Sequence, residues 1–121
     1  MKKHHCVSQY GEAFIIVQND EGVFLCPVCG SAEFNESPYD ENGSPSFQMC
    51  SCGFEFGFDD SNLASNEALE GIAANWDRWR LKVIDKNKHT KHNLEHLERN
   101  LENIGYRLAF DLMPVKVDGN T

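Results

Sequence analysis

Two short cysteine pairs constrain this chain more than anything else in it: Cys26-Pro27-Val28-Cys29-Gly30 and Cys50-Ser51-Cys52-Gly53, separated by twenty residues rich in Gly, Pro, Asn and Ser. Each pair is short enough to grip one metal ion. Together they supply the four soft thiolates of a tetrahedral structural zinc site, and the glycine after each pair gives the backbone room to turn. The metal set read from the sequence is therefore Cys26, Cys29, Cys50 and Cys52, with zinc as the cofactor. The second pair is one residue shorter than a Cys-x-x-Cys knuckle, so whether Cys50 and Cys52 reach the same ion is the open point. Cys6, beside His4 and His5, is the reserve ligand should Cys52 fall short, with His5 second.

A chain of 121 residues with 40% hydrophobic and 11% aromatic residues fits a single domain with a modest core. The five cysteines are an odd number for a disulfide framework. Met1-Lys2-Lys3-His4-His5-Cys6 has no apolar stretch after its charges, as a secretory segment would, so a reducing cytoplasm is the expected compartment. No run approaches the ~20 apolar residues that cross a bilayer, and no membrane partner is expected. The net charge of −8 is uneven: residues 1–63 carry two Lys/Arg against ten Asp/Glu, and residues 64–121 carry nine of each. Four thiolates on one zinc add about −2 more. A phosphate backbone meets repulsion there, which weighs against nucleic acid as a partner.

Residues 13–17, Ala-Phe-Ile-Ile-Val, and Val23-Phe24-Leu25 flank the turn material Asn19-Asp20-Glu21-Gly22, the pattern of a β-hairpin. Residues 37–46, with two prolines and an Asn-Gly, predict a surface loop or tight turn. Phe54, Phe56 and Phe58 alternate, which predicts three rings on one face of a strand. From about Ser65 the period changes. Leu69, Ile72, Ala73, Trp76, Trp79 or Arg80, Val83 and Ile84 recur at helical spacing, with Gly71 inside that helix, and Lys86 to Thr90 break the pattern. A second helix carries Leu94, Leu97, Leu101 and Ile104 and stops at Gly105. Tyr106 to Phe110 suit a short strand, and residues 114–121 a flexible tail. The expected fold class is α+β: a β-hairpin and zinc ribbon over residues 12–60, packed on two antiparallel helices within 64–105. The Phe54, Phe56 and Phe58 face is expected to meet Leu69, Ile72, Trp76 and Val83.

From Phe24 to Asp60 the chain resembles the cysteine-rich CPCC family of small bacterial proteins. The residues that carry the likeness are Cys26-Pro27-Val28-Cys29-Gly30, Tyr39, and Cys50-Ser51-Cys52-Gly53-Phe54-Glu55-Phe56-Gly57-Phe58-Asp59-Asp60, about a third of the chain. Trp76 or Trp79 on the following helix is similar as well. The resemblance implies a zinc-ribbon fold, and an immunity or regulatory role follows from that analogy alone.

Several other groups carry competing readings. Cys26 and Cys29 also have the spacing of a thiol-exchange pair, and a sulfur left off the metal would open a catalytic zinc. His92 and His96 share a helix face, near His89, but lack a suitably placed carboxylate. Glu55, Asp59 and Asp60 are acidic enough for acid–base work, yet capping of the following helix explains Asp60 or its neighbour more simply. No catalytic residue is named, and the chain is read as a non-enzyme. Arg78, Arg80, Lys82, Lys86, Lys88 and Lys91, against Asp77 and Asp85, form the one basic patch, which makes a nucleic-acid-binding ribbon the main rival and a zinc or thiol enzyme the third reading. The expectation is a zinc-binding protein that acts by binding another protein through a surface whose shape the metal fixes.

Overall fold

A computed structural model describes residues 1–60 and 71–117. The described residues form an α+β arrangement of a four-stranded antiparallel sheet, a separate two-stranded sheet and two helices. The first sheet runs in chain order: β1 (Lys2–Val7), β2 (Ala13–Gln18), β3 (Phe24–Leu25) and β4 (Ala32–Phe34). Strands β2 and β3 are the expected hairpin, paired through Gln18 and Phe24. Asn19 builds the turn, its side-chain oxygen accepting from the N–H groups of Glu21 and Val23.

Strand β1 takes up N-terminal residues for which the sequence predicted no element. It pairs with β2 over six residues, from Lys2 opposite Gln18 to Val7 opposite Ala13. Lysines on a sheet edge oppose pairing with another chain, which reconciles this polar segment with a strand. Of its side chains only Cys6 is fully buried.

Helix α1 (Ile72–Asn87) and helix α2 (Lys91–Asn103) follow. Gly71 is extended, with ψ 178, so it precedes the helix instead of lying within it. The expected participation of Leu69 lies outside the described residues. The carboxylate that caps α1 is Glu12, from the turn before β2, and not Asp60: its oxygens accept from Ile72 N–H at 2.6 Å and Ala73 N–H at 3.0 Å. Such bonds satisfy N–H groups that have no partner inside the helix and place negative charge at its positive end. Thr90 caps α2, accepting from Asn93 N–H, and Gly105 ends it with φ +85. Beyond it, β5 (Tyr106–Leu108) pairs with β6 (Pro114–Lys116), so residues 114–116 are a strand where a tail was expected.

The core is largely aromatic. Phe14 meets Tyr39 and Trp76 edge to face, Phe56 meets Phe34 and Tyr39, and Phe54 meets Trp79, all with ring centroids 5.2–5.6 Å apart. Such pairs contribute about 0.5–1.5 kcal/mol each beyond their buried area. Three expectations change here. The segment 37–46 makes the tight turn, bridged by Tyr39 and Pro45, but Tyr39 in it is 1% exposed. Its hydroxyl donates to the buried Asp60 carboxylate and accepts from Trp76 Nε1, and Asp60 also accepts from Gly57 N–H. Asp60 thus braces the core. Burial and the neighbouring Asp60 charge push the Tyr39 hydroxyl far above the usual tyrosine range, so it stays a donor. Third, Phe54 and Phe56 are buried but Phe58 is exposed, because Gly57 at φ +101 breaks the alternation. The two buried rings meet Trp79, Phe34 and Tyr39, and they share one core cluster with Trp76 and Val83 of α1, against which Ile72 packs.

Candidate metal centre

The four paired cysteines come together. Their sulfurs all lie within 4.8 Å of one another, and Cys29 Sγ is 3.6 Å from Cys50 Sγ. A tetrahedral zinc with sulfurs at ~2.3 Å has edges of ~3.8 Å, so the donor set fits such an ion in size and in softness. Cys26, Cys29 and Cys50 are buried and Cys52 is half-buried, which leaves one corner of the site facing water.

The shorter second pair reaches the same point by a tighter turn. In the first pair Gly30 N–H donates to Cys26 O, a span of four residues; in the second Gly53 N–H donates to Cys50 O, a span of three. Both glycines sit in the left-handed region, at φ +83 and φ +93. In both turns the amide two residues on points at the first sulfur: Val28 N–H lies 3.4 Å from Cys26 Sγ and Cys52 N–H lies 3.5 Å from Cys50 Sγ. The missing residue therefore shortens the turn without removing a sulfur. Cys6 is not a member of this group. It is buried in the first sheet, facing a cavity of about 430 Å³ that His5, Asp40 and Glu41 help to line. Burial, Asp40 and Glu41 raise its thiol above the ordinary value.

Around the sulfurs the electrostatics favour a cation. Burial, and hydrogen bonds with Cys29, Cys50 and Cys52, push the Cys26 thiol well above its usual range. Four thiolates are tolerable in so small a buried space only with a cation among them, and coordination itself deprotonates a thiol.

Three elements clamp the first turn. Arg80, from α1, is 2% exposed and donates from Nε to Val28 O at 2.7 Å and from Nη2 to Pro27 O at 2.8 Å, the two carbonyls between the cysteines. Its Nη1 reaches Asp77 at 2.6 Å, and the guanidinium stacks 4.1 Å from the Tyr106 ring centre on β5. Gly30 lies directly on α2, where any Cβ would collide with the carbonyl of Asn100. At the second turn Trp79 Nε1 donates to Cys52 O at 3.1 Å. Glu33, on β4, accepts from Cys50 Sγ at 3.2 Å and from the Ser51 N–H and hydroxyl. Burial opposes its ionisation, but the bonds from Ser51, Ser31 and Cys50 hold its carboxyl below the usual range.

Arg80 and Glu33 are the site residues that sequence reasoning missed. Arg80 has the helical spacing of the core face, yet its charge also places it in the basic patch. Of that patch, Lys82 sits 5.0 Å from the Trp79 ring centre, Lys88 pairs with Asp85, and Lys91 lies 3.9 Å from Glu95. His89, His92 and His96 are exposed, and among the described residues the four cysteines form the one group placed to hold a metal ion.

These features define a small α+β domain organised on a four-cysteine cluster able to hold a metal ion. Compared with family models, curated proteins and solved structures, the chain matches none. No helix among the described residues is long and apolar enough to cross a membrane.

Proposed function

We propose that this is a non-enzymatic zinc-binding protein in which Cys26, Cys29, Cys50 and Cys52 hold one structural zinc ion, and that it acts by binding another protein. The convergence of four sulfurs into one tetrahedron-sized group carries the reading. Zinc suits the donor set because four thiolates fill its coordination shell and leave no position for a reactant. In a zinc ribbon the ion fixes the two turns, and through Arg80, Trp79 and Gly30 it also fixes both helices. The bound ion supplies shape, and its charge makes the thiolates stable.

The resemblance to the CPCC family supports the ribbon, and an immunity or regulatory role rests on that analogy. Withdrawal of Arg80 from the basic face weakens the nucleic-acid reading, as does the acidity of residues 1–63. Thiol alkylation of the zinc-loaded protein at neutral pH tests the structural role. Protection of all four clustered cysteines supports it. Rapid modification of Cys26 or Cys29 with zinc retained would instead favour thiol chemistry.

A further inference from the structure

The two cysteine turns have opposite settings. Every residue of the first, from Cys26 to Gly30, is buried, under the Arg80 guanidinium and against the backbone of α2. The second meets water. Ser51 and Gly53 are exposed, Cys52 between them is half-buried, and apart from its chain neighbours a Cβ on Gly53 would touch only Trp79, at 3.4 Å. Cys26, Cys29 and Cys50 are 0%, 4% and 2% exposed. A small dissolved reagent therefore reaches Cys52 before the other three. Coordination keeps a thiol deprotonated, and the thiolate is the form that an oxidant attacks. Hydrogen peroxide is smaller than a thiol-alkylating reagent, so it enters by a half-buried corner that excludes the larger molecule.

A second sulfur stands ready in the same turn. Cys50 and Cys52 are separated by Ser51 alone, and their sulfurs lie within 4.8 Å of each other. This turn is held by two hydrogen-bonding side chains, Trp79 on Cys52 O and Glu33 on Ser51, and it can tighten without moving a helix. Cys26 and Cys29 are less free to turn toward Cys52. Gly30 sits on the Asn100 carbonyl, and the Pro27 and Val28 carbonyls are held by Arg80.

We propose that the cysteine cluster is a peroxide-sensitive switch: hydrogen peroxide oxidises Cys52 first, a Cys50–Cys52 disulfide forms, and the metal ion is released. The Cys52 thiolate attacks one oxygen of the peroxide. The S–O bond forms as the O–O bond breaks and hydroxide leaves, so the sulfur gives up two electrons and the peroxide takes them. The Cys50 thiolate then attacks the Cys52 sulfur, forming the S–S bond and expelling the second hydroxide. Two thiolates and one peroxide yield one disulfide and two hydroxide ions. Cys26 and Cys29 are left as donors, half of what a structural zinc ion requires. The switch rests on the zinc-binding reading and gives that site its regulation, because the shape that the ion fixes is lost with it.

The test exposes the zinc-loaded full chain, its metal content measured beforehand, to hydrogen peroxide while a coloured chelator reports free zinc against a sample without peroxide. A sulfenic-acid trap and peptide mapping locate the first oxidised sulfur. Expected are an early Cys52 adduct, one Cys50–Cys52 disulfide for each zinc ion released, reduced Cys6 throughout, and renewed zinc binding after a thiol reductant. Cys52→His keeps a fourth zinc donor without the oxidisable sulfur, and its zinc release is expected to be slower by at least about tenfold. If that variant holds no zinc, mapping of the wild-type chain decides by itself. Zinc retained under peroxide, first oxidation at Cys26, Cys29 or Cys6, a different disulfide, or release at the wild-type rate from zinc-loaded Cys52→His would each overturn the switch. A chain that keeps its zinc under peroxide leaves the metal reading intact, whereas a chain that never holds zinc removes that reading and the switch with it.

Discussion

Replacing Arg80 by Met keeps most of the aliphatic stem while removing the guanidinium that grips the first cysteine turn. The carbonyls of Pro27 and Val28 lose donors at 2.8 and 2.7 Å, inside a region where Pro27 and Val28 are themselves buried. A buried acceptor left without its donor costs ~1–3 kcal/mol. Two of them, less the desolvation no longer imposed on the buried guanidinium, give a net loss of ~3 kcal/mol. Domains of this size have ~5–15 kcal/mol in total, so the effect is a large fraction. With a urea dependence of ~1.5 kcal/mol per molar, the unfolding midpoint of the zinc-loaded protein is predicted to fall by ~2 M. Zinc affinity should fall as well, by ~10–100-fold, because the ligand turn is less well held. Lys86→Met on the exposed face of the same helix is the control and should change stability by less than ~0.5 kcal/mol. If Arg80→Met behaves like the control in both measurements, Arg80 is not the clamp described above.

Other consequences are equally direct. Glu12→Ala removes the α1 cap and is predicted to cost ~1–2 kcal/mol, with faster amide exchange confined to the first turn of α1; unchanged exchange would reassign the cap. Gly30→Ala introduces both a strained φ and a collision with the Asn100 carbonyl; soluble, zinc-loaded protein of wild-type stability would show that the turn and α2 are not in contact. Cys6 is held above its ordinary value of 9.0, so its contribution is complete below pH 9.0 and declines above it, where the unfolded chain gives up the proton first. Stability is therefore predicted to fall on the alkaline side with a shallower slope in Cys6→Ala than in the wild type, measured as urea midpoints across that range. An equal slope in the two proteins would remove Cys6 from the titration.

The four-cysteine cluster and the hairpin of β2 and β3 were legible because their signals are local: cysteines two or three residues apart, and an apolar run that ends in Asn-Asp-Glu-Gly. The helices were legible from their spacing, and Gly105 from its place after the last leucine. What escaped depends on partners distant in sequence. Glu12 caps a helix 60 residues away, and Tyr39 meets Asp60 and Trp76 across the core. No spacing rule announces such pairs. Arg80 shows the limit most clearly, since an arginine on a helix face reads as solvated until the carbonyls of Pro27 and Val28 are known to lie beside it. Strand β1 escaped for a related reason: edge lysines protect a sheet and simultaneously disguise its strand. The exposed position of Phe58 required knowledge of the Gly57 backbone, which the alternating aromatics conceal.

Native mass spectrometry of the chain before and after a zinc chelator, paired with circular dichroism on the same samples, decides whether the four cysteines hold a structural zinc ion. One zinc ion per chain is expected, released together with the loss of folded structure and regained on adding zinc. A chain that carries no metal, or one that keeps its full fold when the metal is withdrawn, would contradict it.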